Sequence, residues 1–85
     1  MSHTVNVLLV EDNPGDALLI EETFAEARET DFRAEHVDRL GDAIERLRGR
    51  RYDAVLLDLG LPDSQGLATL AAVQAYAGAT PVVVL

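Results

Sequence analysis

Ala54–Leu57 is four aliphatic residues in a row, and it stops at the carboxylate of Asp58. A short unbroken apolar run suits a strand covered on both faces, as in a parallel sheet flanked by helices. Gly60, Pro62, Asp63, Ser64 and Gly66 follow within eight positions, too many turn formers for a strand or helix to continue. Asp58 is therefore expected at the carboxyl end of its strand, the edge where open α/β sheets bind ligands. The plainer alternative is a solvated Asp that opens a turn.

A second aliphatic run, Val5–Val10, ends on Glu11, Asp12, Asn13, Pro14 and Gly15. Asn13 is a good helix cap, Pro14 fits a first helical position, and Asp16 complements the dipole of the first turn. The helix that follows has an apolar stripe of Ala17, Ile20, Phe24 and Ala27, widened by Leu18 and Leu19. Phe32–Val37 reads as a weaker edge strand, with His36 exposed on it rather than acting as a ligand or base, and His3 precedes the first strand. Asp38 is expected to cap a second helix carrying Leu40, Ala43, Ile44 and Leu47, which ends at Gly49. Arg46, Arg48, Arg50 and Arg51 fit the dipole at that helix end better than they fit a phosphate or nucleic-acid contact. Leu67, Leu70, Val73 and Ala77 define a third helix ending near Gly78, and Pro81–Leu85 reads as a fourth buried strand. Strand and helix alternate throughout, which implies a parallel sheet with right-handed crossovers.

Eighty-five residues, 48% of them hydrophobic, make one small domain. No stretch reaches the ~18 consecutive apolar residues of a membrane helix, and the start at Met1–Thr4 is too polar for a signal peptide, so a cytoplasmic location is expected. Without cysteine, any metal must be held by oxygen or histidine. Fifteen acids oppose seven bases, for a net charge of −8, which disfavours nucleic acid and anionic membrane as partners. All seven bases are arginine. Abundant acid without lysine suggests adaptation to high salt, where screening suppresses carboxylate repulsion; an ordinary acidic protein from a GC-rich genome is the alternative.

If the two aliphatic strands are neighbours, Glu11, Asp12 and Asp58 converge. Two carboxylates ~5 Å apart at an effective dielectric near 20 repel by ~3 kcal/mol. Protonation of one acid would relieve this, as would a hard divalent cation, for which magnesium is the best candidate because it keeps waters and phosphate oxygens beside a few carboxylates. An Asp beside magnesium can also act as a nucleophile toward phosphorus, and the Gly60 carbonyl is placed to supply a further ligand.

The segments VLLVEDNPGD, AVLLDLGLPDSQGL and PVVVL together resemble the receiver domain of two-component response regulators, over essentially all of Val5–Leu85. The resemblance implies a flavodoxin-like (CheY-like) α/β/α fold with strand order 2-1-3-4. It implies Asp58 as phosphoacceptor, Asp12 as a direct magnesium ligand, Glu11 acting mainly through water, and Gly60 contributing its carbonyl. A histidine kinase or phosphotransfer protein would be the donor, with an output domain or a homodimer as the recipient of the signal, and the domain itself would be a signalling module rather than an enzyme. Receivers normally continue to a Ser or Thr, a further helix, a fifth strand ending in Lys, and a last helix. Residues 1–85 are therefore expected to be one receiver domain truncated after its fourth strand, with a hydrophobic sheet edge exposed. Two other readings stay open: a receiver-like interaction module that is not phosphorylated, and a magnesium-dependent aspartyl phosphohydrolase. The second would commonly place an Asp two residues after the nucleophile, where this chain has Gly60.

Overall fold

A computed structural model describes residues 3–85, and the polar start at Met1 and Ser2 lies outside the described residues. The long strands are β1 (His3–Val10), β2 (Thr30–Val37), β3 (Ala54–Leu57) and, last in the chain, β6 (Val82–Val84). They form one parallel sheet in the order β2-β1-β3-β6, the expected 2-1-3-4 arrangement of the flavodoxin-like class. The helices are α1 (Pro14–Ala25), α2 (Leu40–Gly49) and α3 (Leu67–Ala77).

β1 is the central strand, and its last four residues, Val7–Val10, are all buried, as the unbroken aliphatic run requires. Their side chains alternate. Leu8 and Val10 join Val55, Leu57, Ala43 and Val73 in the core beneath α2 and α3, while Val7, Leu9 and Ala17 are buried on the α1 face.

α1 begins as its sequence predicts. Asn13 is the cap and accepts from the Asp16 N–H at 3.1 Å, with Pro14 in the first turn. Its apolar stripe is narrower than expected: Leu18 and Leu19 are 55% and 62% exposed, and Ala27 lies beyond the helix. At 100° per residue, positions 18 and 19 turn away from the line of Ala17, Ile20 and Phe24 that faces the sheet, and among the described residues α1 has no neighbouring helix on its face.

Several other expectations are corrected. His3 does not precede the first strand but begins it, paired with Thr30. Asp38 does not cap α2; Arg39 holds the cap position without a side-chain bond, and the carboxylate of Asp63 takes over the task from a distant loop. The turn-rich segment after Asp58 folds into a miniature antiparallel hairpin, β4 (Gly60–Leu61) and β5 (Ser64–Gln65), with Leu61 buried in the core. Gly66 then closes the loop, its N–H bonded to the Leu59 carbonyl at 2.9 Å and its φ of 68° in the region that glycine enters without strain. Leu67 opens α3 but is 76% exposed; of the expected stripe Val73 is buried and Leu70 packs against the core, joined by buried Thr69. β6 is not buried: it pairs with β3 alone, and Val83 and Val84 remain 49% and 43% exposed, giving the expected hydrophobic edge.

Candidate functional site

The register of the parallel sheet builds the site. Val10 stands opposite Val37 on one side and Leu57 on the other, and Leu57 stands opposite Val84. The residues that follow these strands therefore fall in one row, with Glu11 and Asp58 adjacent in it. Each is fixed by a continuation of the ladder: Glu11 N–H donates to the Val37 carbonyl at 3.1 Å, and Asp58 N–H to the Val10 carbonyl at 2.9 Å. Asp12 is the next residue along. One carboxylate oxygen from each of Glu11, Asp12 and Asp58 lies within 4.8 Å of the others. The structure thus brings together the three acids that the sequence marked out.

Their surroundings differ. Glu11 is only 5% exposed, Asp58 is half-buried, and Asp12 is open to water. Burial pushes the Glu11 carboxyl above its ordinary range; the Asn13 N–H, donated at 3.0 Å, opposes this, and the nearby carboxylates of Asp58 and Asp16 push it further up. The Asp58 carboxylate accepts the Gly60 N–H at 2.9 Å through Oδ1, which fixes the direction it faces. Gly60 thus reaches the site through its backbone nitrogen, a contact that the sequence reading did not anticipate.

Two further residues were missed. Asp16, read from sequence as a helix-dipole partner, also lines the open cleft beside Glu11 and Asp58, a space of about 410 Å³ lined further by Leu19, Ile20 and Leu85. His36 is exposed as expected, yet its Nε2 lies 2.7 Å from the Glu11 carbonyl and bonds to it across the β1–β2 boundary. His36 is in register with Leu9, two residues before Glu11, a relation set by strand pairing that no local sequence pattern reports. Asp38 follows β2 in the same row, but the three-acid cluster does not include it.

Three oxygen-donating carboxylates, one of them buried against the charge of its neighbours, are a donor set that fits a hard divalent cation and suits no soft metal. Other concavities, of about 450 and 670 Å³, lie beside the start of β3 and are lined by Arg50, Arg51 and Tyr52. They bring no cluster of acids together. Among the described residues, no helix is long and apolar enough to cross a membrane.

The response regulator receiver domain model matches residues 7–85. The transcriptional regulatory protein BasR of Escherichia coli is 33% identical over 81 residues, covering 95% of this chain and 35% of that protein. Among solved structures, the phosphorylated cyanobacterial phytochrome response regulator RcpA superposes with a TM-score of 0.83 at 33% identity, over 96% of this chain and 64% of that one. The receiver domain of the sensor histidine kinase PA1611 from Pseudomonas aeruginosa, solved with magnesium in its active site cleft, gives a TM-score of 0.82 at 28% identity, over 95% and 66%. The chain therefore spans about a third of the curated relative and just under two thirds of these solved chains. With the sheet order, the acid row and the match over residues 7–85 in agreement, the chain belongs to the response regulator receiver domain family.

Proposed function

We propose that Asp58 is the phosphoacceptor of a two-component phosphorelay, with Glu11, Asp12 and the Gly60 carbonyl completing a magnesium site around it. The observation that carries this is the convergence of Glu11, Asp12 and Asp58 at the carboxyl edge of β1 and β3. Asp12 is the exposed member and a direct ligand, while buried Glu11 acts mainly through water.

A carboxylate oxygen of Asp58 attacks the phosphorus of a phosphohistidine on a kinase or phosphotransfer protein. The O–P bond forms as the P–N bond breaks, and the imidazole leaves with that electron pair and takes up a proton. Magnesium, when bound, neutralises charge on the phosphoryl oxygens. The Gly60 N–H holds Oδ1 and so orients the carboxylate for this attack. The aspartyl phosphate then alters binding to an attached output domain, a partner or a second copy, in the cytoplasm. Residues 1–85 act as one receiver unit in this reading. Position 60 offers no side chain to activate water, which favours a signalling role over a phosphohydrolase.

Acetyl phosphate with magnesium tests the proposal. The expected result is a labile adduct of one phosphoryl group that Asp58→Asn abolishes. Absence of the adduct would favour a receiver-fold interaction module, and sustained phosphate release over many turnovers would favour a phosphohydrolase.

A further inference from the structure

Asp63 sits at the turn between β4 and β5, yet both its carboxylate oxygens are spent on α2. Oδ1 accepts the Leu40 N–H at 2.8 Å and Oδ2 the Gly41 N–H at 2.9 Å. These are the first two residues of the helix, whose N–H groups have no partner within it. The cap is therefore supplied from 22 and 23 residues away, by the loop that follows Asp58.

The opposite end of the same hairpin is bonded to Asp58 itself, through the Gly60 N–H. Between the two attachments the hairpin has only two residues on each strand, Gly60 paired with Gln65 and Leu61 with Ser64. A hairpin this short has no stability of its own, so its position is set by its anchors. Buried Leu61 holds it down onto the core, and the 2.6 Å bond between Ser64 Oγ and Thr69 Oγ1 ties its return strand to α3. Of the hydrogen bonds that anchor it, those of Asp63 reach α2.

We propose that Asp63 is a positioning residue for Asp58: by fastening the β4–β5 hairpin to the α2 N-terminus, it keeps the Gly60 N–H on Asp58 Oδ1 and so holds the carboxylate in its orientation toward Glu11 and Asp12. The consequence for phosphoryl transfer rests on the phosphoacceptor reading above; the consequence for the Gly60 hydrogen bond does not. The relationship also runs in reverse, since a change at Asp58 that displaces Gly60 pulls on the cap of α2.

Amide hydrogen exchange by NMR, combined with reaction of the same samples with acetyl phosphate and magnesium, tests this in the 85-residue chain. In Asp63→Ala, the Leu40 and Gly41 amides lose protection, the Gly60 amide exchanges several-fold faster, and the phosphorylation rate falls by about tenfold. Asp63→Asn, which keeps one acceptor oxygen, gives an intermediate result and carries the test if the alanine variant does not fold. Leu47→Ala loosens the packing of α2 on the core at the end away from the cap and leaves Gly60 exchange near wild type. The proposal is overturned if Gly60 keeps its wild-type exchange rate while Leu40 and Gly41 are freed, or if Leu47→Ala accelerates Gly60 equally. Faster Gly60 exchange in Asp63→Ala with no adduct on the unaltered chain would support the positioning role and reject the phosphoacceptor reading.

Discussion

Tyr52 donates its hydroxyl to the carboxylate of Glu35, which joins the approach to β3 to the edge strand β2 across the intervening β1. Arg46 and Arg50, at the end of α2, bond to the same carboxylate. Two members of the arginine cluster thus have a structural task, and one acid gathers three donors. Tyr52 is 6% exposed, so the bond is made away from bulk water, and its loss leaves the partly buried Glu35 carboxylate short of a donor. A hydrogen bond to a charged group contributes ~1.5–3 kcal/mol, against at most ~1 kcal/mol for an exposed ion pair. Tyr52→Phe is therefore expected to cost about 1–2 kcal/mol in urea unfolding at neutral pH, and more than Arg50→Ala. The reverse ranking would show that the ion pairs dominate.

The same cluster sets a pH dependence. The Glu35 carboxyl is held below its ordinary value of 4.5, first by the Tyr52 hydroxyl, against the effect of burial, and then by Arg46 and Arg50. The Asp63 carboxyl is held below 3.8 by the Gly41 and Leu40 N–H groups. Both folded values lie under the unfolded ones, so the unfolded chain binds more protons as the solution is acidified. The stabilisation is complete above the ordinary carboxylate range and is lost as pH falls through the lowered folded values. Glu35→Gln should flatten the decline of the urea midpoint between neutral pH and pH 3; an unchanged slope would locate the acid sensitivity elsewhere.

Glu11 behaves in the opposite sense. Its folded value is raised, first by burial and then by Asp58 and Asp16, so the ionised group opposes folding at neutral pH and that burden is relieved as pH falls through the raised value. In a chelator-treated sample, Glu11→Gln is expected to raise stability by about 1 kcal/mol, below the bare Coulomb figure because the Asn13 N–H already stabilises the charge. With magnesium in excess the advantage should pass to the unaltered chain. A variant less stable than wild type without metal would contradict this assignment of the strain.

What could be read in advance divides along sequence distance. Val10 and Leu57 close aliphatic runs that need two covered faces, so the strand ends, and with them Glu11 and Asp58, follow from local composition. Asp38 looked like the cap of α2 because it lies beside the helix, whereas Asp63 does the capping from across the fold. No local pattern reports such a bond. The exposure of Leu18, Leu19 and Leu67 was likewise hidden, since periodicity says which residues share a face and not how much of that face a neighbour covers.

Salt should stabilise the chain. Fifteen acids face seven arginines, and three ion pairs join arginine to acid among the described residues. The net charge of −8 is spread largely over exposed side chains, whose mutual repulsion falls as the Debye length shortens from ~10 Å at 0.1 M to ~3 Å at 1 M. The melting temperature is expected to rise from low to molar potassium chloride, with half-buried Glu35 screened less than the open acids. A flat or falling curve would reject the salt-adapted reading.

Magnesium should stabilise the fold by mass action, through Asp12 above all. A ligand that binds the folded chain alone adds about 2.7 kcal/mol at one hundred times its dissociation constant. Asp12 is exposed, so its removal creates no cavity and leaves no buried group without a partner. Asp12→Ala is therefore expected to leave the metal-free melting temperature within a degree or two, by the small effect of surface substitutions, while abolishing the magnesium-dependent rise. On the proposed reading, in which Glu11 acts mainly through water, Glu11→Gln should reduce that rise without removing it. Titration of the melting temperature with magnesium, calcium as comparison, reads both variants. Magnesium affinity unchanged in Asp12→Ala would remove Asp12 from the site and leave Glu11 and Asp58 as its only carboxylates among the described residues.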